Sequence, residues 1–117
     1  MRERPIFGGG EYLIKDAGPN DVFTPEDFTD EHKMIYETAR DFVVKEIGPN
    51  IDRLEEKDHD LVLSILRKAG ELGLISTDIP EEYGGAGLDK VSTTIVTEVL
   101  SPPGSFGVVY GAHTGIG

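Results

Sequence analysis

The three histidines, His32, His59 and His113, are the side chains best suited to moving protons or holding a metal. They stand far apart, and no two share the short spacing of a ligand pair. His32 and His59 sit among acids where helices should start. His113 lies in an apolar stretch, where a hydrogen-bonded structural role is expected. Among the acids, Glu81, Glu82 and Glu98 lie nearest apolar sequence. A general base needs a carboxylate with a raised pKa in a cleft, and no second partner residue marks any of these three for that work. Serines and threonines are common, yet no nucleophile elbow is present. Gly8-Gly9-Gly10 lacks the following Gly-Lys-Ser/Thr and the preceding strand of a phosphate loop. No catalytic, cofactor-binding or metal-binding residue is therefore expected in this sequence.

The frame that must position any site is small. A chain of 117 residues makes one domain at most. A domain of that size buries roughly 65% of its unfolded surface. The net charge is −11, from 22 acids against 11 bases. That balance excludes a nucleic-acid binder, which needs a basic face, and poorly serves anionic ligands. The absence of cysteine excludes disulfides, thiol chemistry and a Cys-ligated metal. No run approaches the 18 or so apolar residues of a membrane span. Residues 1–14 lack the apolar core of a signal peptide. A cytoplasmic protein is expected.

Residues 1–23 read as an irregular arm, broken at Gly8-Gly9-Gly10 and at Ala17-Gly18-Pro19-Asn20. Thr24-Pro25 and Thr29-Asp30-Glu31 are two possible helix starts. Apolar residues at Met34, Ile35, Ala39, Phe42, Val43, Ile47, Ile51 and Leu54 follow at helical spacing. Gly48-Pro49 interrupts them, which implies a kinked helix or two abutting ones. From Glu26 to Asp60 there are 12 acids and 5 bases, read as a solvated helix face.

A second helix is expected over about 60–72, capped by Asp58 or Asp60. Its buried stripe is Leu61, Val62, Ile65, Leu66, Ala69 and Leu72. Gly73 is the left-handed stop, with Leu74 as hydrophobic partner. The Ile75–Gly87 stretch holds Pro80 and three glycines and reads as a shaped loop. A third helix follows over 88–100, with Val91, Thr94, Ile95 and Val99 inward. Its β-branched content also fits a strand, but the three-to-four spacing favours helix. Beyond Pro102-Pro103, Gly107, Gly111 and Gly115 recur every fourth residue and form one stripe on a helix. Each costs about 1 kcal/mol against alanine, so tertiary contacts must hold this segment. Across 88–117 only Asp89, Lys90 and Glu98 are charged. That third of the chain is expected to pack against further protein.

Several stretches together, in order and at matching spacing, resemble the N-terminal helical domain of the acyl-CoA dehydrogenases. Glu31-His32-Lys33-Met34 through Ile47-Gly48-Pro49 is similar to its first helix. Leu66 through Leu74 is similar to its second. Ile79-Pro80-Glu81-Glu82-Tyr83-Gly84-Gly85-Ala86-Gly87-Leu88 matches the loop between helices, and Phe106 through Gly117 the start of its fourth helix. The arm, Phe23 through Phe28 and Gly111-Ala112-His113 are similar to the branch handling long acyl chains. The resemblance covers residues 24–117 and implies an all-α domain of about four helices behind an arm over residues 1–23.

It also implies a function. In that family FAD takes a hydride from the β-carbon of an acyl-CoA thioester while a glutamate removes the α-proton, giving the trans-2-enoyl product of fatty acid β-oxidation. Electrons pass to electron-transferring flavoprotein, and the enzymes are homo-oligomers. The flavin and the base come from a middle β-domain and a C-terminal helical bundle, neither of which this sequence contains. The chain alone is thus expected to be inactive and to hold no FAD. What the resemblance assigns here is a stretch of acyl-tail wall, at Phe106, Val108, Val109 and Ala112. Two other readings remain: a sibling flavoenzyme such as an acyl-CoA oxidase, and a non-enzymatic helical interaction module.

Overall fold

Helix starts are set by local capping. The structure, a computed structural model, describes residues 6–116. Residues 1–5 of the expected arm, and Gly117 at the end of the expected fourth helix, lie outside them. Both possible first starts are used. Thr24 opens a 3₁₀ turn over Pro25–Asp27, its N–H donating to Asp27 Oδ2 at 2.9 Å. Thr29 then caps α1, Asp30–Phe42, accepting from the His32 N–H at 3.2 Å. Satisfying such orphan amides is why Thr and Asp begin helices.

Gly48-Pro49 does not simply kink this helix. A π turn spans Val43–Ile47, with the Gly48 N–H reaching back five residues to the Val43 carbonyl. A 3₁₀ turn over Gly48–Asn50 leads into α2, Ile51–Glu55. Proline has no N–H to give the ladder, and just beyond it the Asn50 side chain donates to the Glu46 carbonyl at 2.8 Å. The wider and then tighter turns shift the helix phase. Ile47 and Leu54 are buried, whereas Ile51, expected inward, is exposed. Met34 is also outside the core, at 64% exposed; His32, Ala39 and Phe42 hold the inner line of α1.

Asp58 accepts the Leu61 N–H and caps α3, His59–Glu71. The helix ends in a Schellman motif. Gly73 lies at φ 74°, its N–H on the Gly70 carbonyl, and the Leu74 N–H reaches Ala69. Leu74 takes the core place expected of Leu72. The latter sits on the helix cap and is exposed.

The 76–88 loop folds against itself. Ala86, Gly87 and Leu88 donate to the carbonyls of Ser76, Ile79 and Thr77. Asp89 then caps α4, Lys90–Leu100, through the Ser92 N–H at 2.8 Å. Its inward residues are Ser92, Ile95, Val96 and Leu100, with Val99 half-buried. Thr94, expected inward, is exposed, and its hydroxyl donates to the Lys90 carbonyl. Thr97 back-bonds likewise to the Thr93 carbonyl, while the Thr93 hydroxyl also meets that of Thr77 in the loop.

α5, Gly104–Gly111, runs into a second π turn over Ala112–Ile116. α1 lies along α4, while α2 touches both α3 and α5. Phe42, Leu54, Ile65, Val96, Leu100 and Phe106 meet in one core. The described residues contain no strand. With α1 and α2 as one bent unit, the body has the four helical units that the sequence implied.

Candidate functional site

The last helix and the π turn after it carry the four expected wall residues, and the helix's own residues fix how they face. Phe106 and Tyr110, four apart, both point into the core and are essentially solvent-free. The Tyr110 hydroxyl donates to the Leu74 carbonyl at 2.9 Å. Burial raises the pKa of that phenol. At the other end, the Ser105 N–H donates to Glu55 Oε1 of α2 at 3.1 Å. Pro103, at the cap position, makes no side-chain cap of its own.

The opposite face looks outward. Val108 is 72% exposed, Ala112 is exposed and Val109 is half-buried. The four expected residues therefore do not share one face. Val108 and Ala112 lie together, Val109 borders them, and Phe106 is a core residue beneath the helix. The glycine stripe divides too. A Cβ on Gly107 would lie 2.8 Å from the Ser101 carbonyl oxygen, so Gly107 lets α5 cross close over the end of α4. Added Cβ atoms on Gly111 and Gly115 would meet nothing within 4 Å. The outer face is a notched, uncharged shelf formed by Val108, Gly111, Ala112, Gly115 and Ile116.

That shelf can bind an apolar surface and cannot transfer protons. Glu81, Glu82 and Glu98 are exposed, as are His59 and His113. The exposure of His113 departs from the structural role its apolar surroundings suggested. No group of His, Asp and Glu able to hold a metal occurs among the described residues. The glycine loop is closed by its own backbone bonds. The amides of Gly84, Gly85 and Gly87 are already spent on the carbonyls of Glu81, Pro80 and Ile79. Two surface grooves lie away from α5. One, of ≈ 540 Å³, runs between α1 and α3 past Phe42, Lys45, Lys68 and Leu72. The other, of ≈ 300 Å³, runs between α1 and α4 past Tyr36, Arg40, Val44 and Glu98.

A family model described as acyl-CoA dehydrogenase, N-terminal domain, matches residues 29–117. The chain belongs to the acyl-CoA dehydrogenase N-terminal domain family. A probable acyl-CoA dehydrogenase of Bacillus subtilis is 51% identical over 109 residues, covering 93% of this chain and 18% of that protein. The mitochondrial short-chain specific acyl-CoA dehydrogenase of Rattus norvegicus is 40% identical over 80 residues, covering 68% of this chain and 19% of its own length. The crystal structure of an acyl-CoA dehydrogenase complexed with FAD from Bacillus anthracis superposes with a TM-score of 0.86 at 50% identity. It covers 93% of this chain and 19% of the solved one. The chain thus spans about a fifth of the length of these acyl-CoA dehydrogenases.

Sequence reasoning placed a helix over 106–111 but did not foresee that Phe106 packs into the chain's own core. The signal was available: Phe106 and Tyr110 are an i, i+4 aromatic pair, the spacing of a buried stripe. The contact between His32 and Asp89 was not legible, because it joins residues 57 positions apart.

Proposed function

We propose that this chain is the N-terminal helical domain of a flavoenzyme that oxidises acyl-CoA thioesters to trans-2-enoyl-CoA in fatty acid β-oxidation, a cytoplasmic homo-oligomer that passes its electrons to electron-transferring flavoprotein. The domain runs over residues 24–117 behind the arm. FAD and the catalytic base reside in other parts of that enzyme. The outer face of α5, with Val108, Val109 and Ala112, supplies wall to the acyl-tail channel, and Phe106 supports it from behind. The likeness to the FAD-complexed Bacillus anthracis enzyme, over 93% of this chain, carries this reading. The uncharged shelf supports it, since an apolar tail is favoured by apolar surface that water leaves.

The test is a chimera in which residues 24–117 replace the matching segment of the Bacillus subtilis relative. Its activity is followed with acyl-CoA thioesters of graded length and a dye acceptor. Gly111→Leu, which fills open space, is expected to lower kcat/KM for the longest substrates roughly tenfold or more while leaving short ones unchanged. An unchanged length profile would remove α5 from the channel.

A further inference from the structure

His32 plays no part in the proposed chemistry, yet it is the most enclosed titratable side chain of the helix starts, at 5% exposed. Each ring nitrogen has a different partner. The Thr29 N–H donates to Nδ1 at 3.2 Å, completing the reciprocal cap of α1. Nε2 faces Asp89 Oδ2 at 2.9 Å, and Asp89 Oδ1 caps α4. A nitrogen that accepts carries no hydrogen, so the geometry requires the tautomer protonated on Nε2. The rings of Phe23 and Phe28 stand edge-on to the imidazole at 6.2 and 5.6 Å between centroids. One imidazole therefore ties the end of the arm, the start of α1 and the start of α4.

We infer that His32 is a proton-sensitive catch on the turn leading into α1. A second proton can enter only at Nδ1, where it would face the Thr29 N–H, donor against donor. The cap then opens and the Thr29 amide turns to water, which is near because Thr29 lies at the surface. The Nε2 bond to Asp89 survives and becomes an ion pair. Acid thus loosens residues 23–29 while leaving α1 joined to α4. From α4, Asp89 is the charged group against the ring. From the lead-in turn, Phe23 and Phe28 face it, with Asp27 engaged on the Thr24 amide. On α1 itself Asp30, Glu31 and Lys33 stand in solvent.

The test is NMR of the whole chain across the range where imidazoles titrate, about pH 5 to 8. Ring nitrogen shifts at the upper end should report the Nε2–H tautomer. Lowering the pH should raise exchange of the Thr29 amide, after correction for intrinsic rate, roughly fivefold, with the Ser92 amide unmoved. In His32→Gln, whose amide can still serve a reciprocal cap, the Thr29 response should vanish. Should that variant unfold, the unmodified chain decides: the rise in Thr29 exchange and the His32 ring-nitrogen shifts should share one midpoint. An Nδ1–H tautomer, joint loss of protection at Thr29 and Ser92, no change at Thr29, a response in His32→Gln or separate midpoints for the Thr29 exchange and the His32 shifts would each overturn the inference.

Discussion

Gly85 is the residue least free to change. A Cβ there would sit 2.0 Å from the Ile79 carbonyl oxygen and 2.3 Å from Ile79 Cβ, and backbone cannot step aside as a flexible side chain can. Gly85→Ala is expected to cost about 3 kcal/mol, the upper range of overpacking, read as a lowered denaturant midpoint. The α5 glycines should separate by sign. Gly107→Ala drives a methyl against Ser101 backbone and should cost about 1–3 kcal/mol. Gly111→Ala meets open space and should gain about 1 kcal/mol of helix propensity. Equal effects from the two would mean that α5 does not cross α4 as described. Glycine spacing was legible in the sequence; which glycine was packed against something was not, because that depends on the crossing of two helices.

At the scale of elements, what the sequence disclosed divides by range. The caps at Thr29, Asp58 and Asp89 each close on an amide three residues ahead, so local order alone announces them. The stop at Gly73-Leu74 is equally local. The phase of Ile51 was not legible, since Pro49 is accommodated by a π turn followed by a 3₁₀ turn rather than a simple bend. The same limit affects α4, where the core selects Ser92 and Val96 over Thr94. One joint between elements carries strain. Lys57, between α2 and α3, lies at φ 62°, a conformation that costs an L-residue about 1–2 kcal/mol. Lys57→Gly should raise stability by about 0.5–1 kcal/mol after glycine's entropy loss. Lys57→Val should lower it, since β-branching fits that region worst. Paired melting curves decide the matter, and a stabilising valine would refute the strain.

The whole molecule exposes 8164 Å², against roughly 6,200 Å² for a compact monomer of this mass. Part of that excess belongs to the arm, where Leu13 and Ile14 stand in solvent, and part to the outer face of α5. An open apolar face makes the balance of charge consequential for stability. Beside the local opening at His32, two pH effects on the whole fold oppose each other. At pH 7 a net charge of −11 repels itself, a cost that fades as the pH falls toward the isoelectric point near 4.5. Against this, several carboxyls are held below their ordinary range: Asp58 by the Leu61 amide and Arg53, and Asp78 by Lys90. For Asp89, burial pushes upward, but the Ser92 amide and His32 together prevail and lower it. A depressed folded-state pKa gives stability that is complete above the unfolded value, about 3.9 for Asp. It is lost as the pH drops through the folded value. Tm should therefore rise from pH 7 to a maximum near the isoelectric point and fall below about pH 4. Added salt should raise Tm at pH 7, where it screens the repulsion, and do little near the maximum. Melting curves by circular dichroism at low and high salt separate the two effects. A Tm that climbed steadily into acid would mean that the helix caps are not what acid removes.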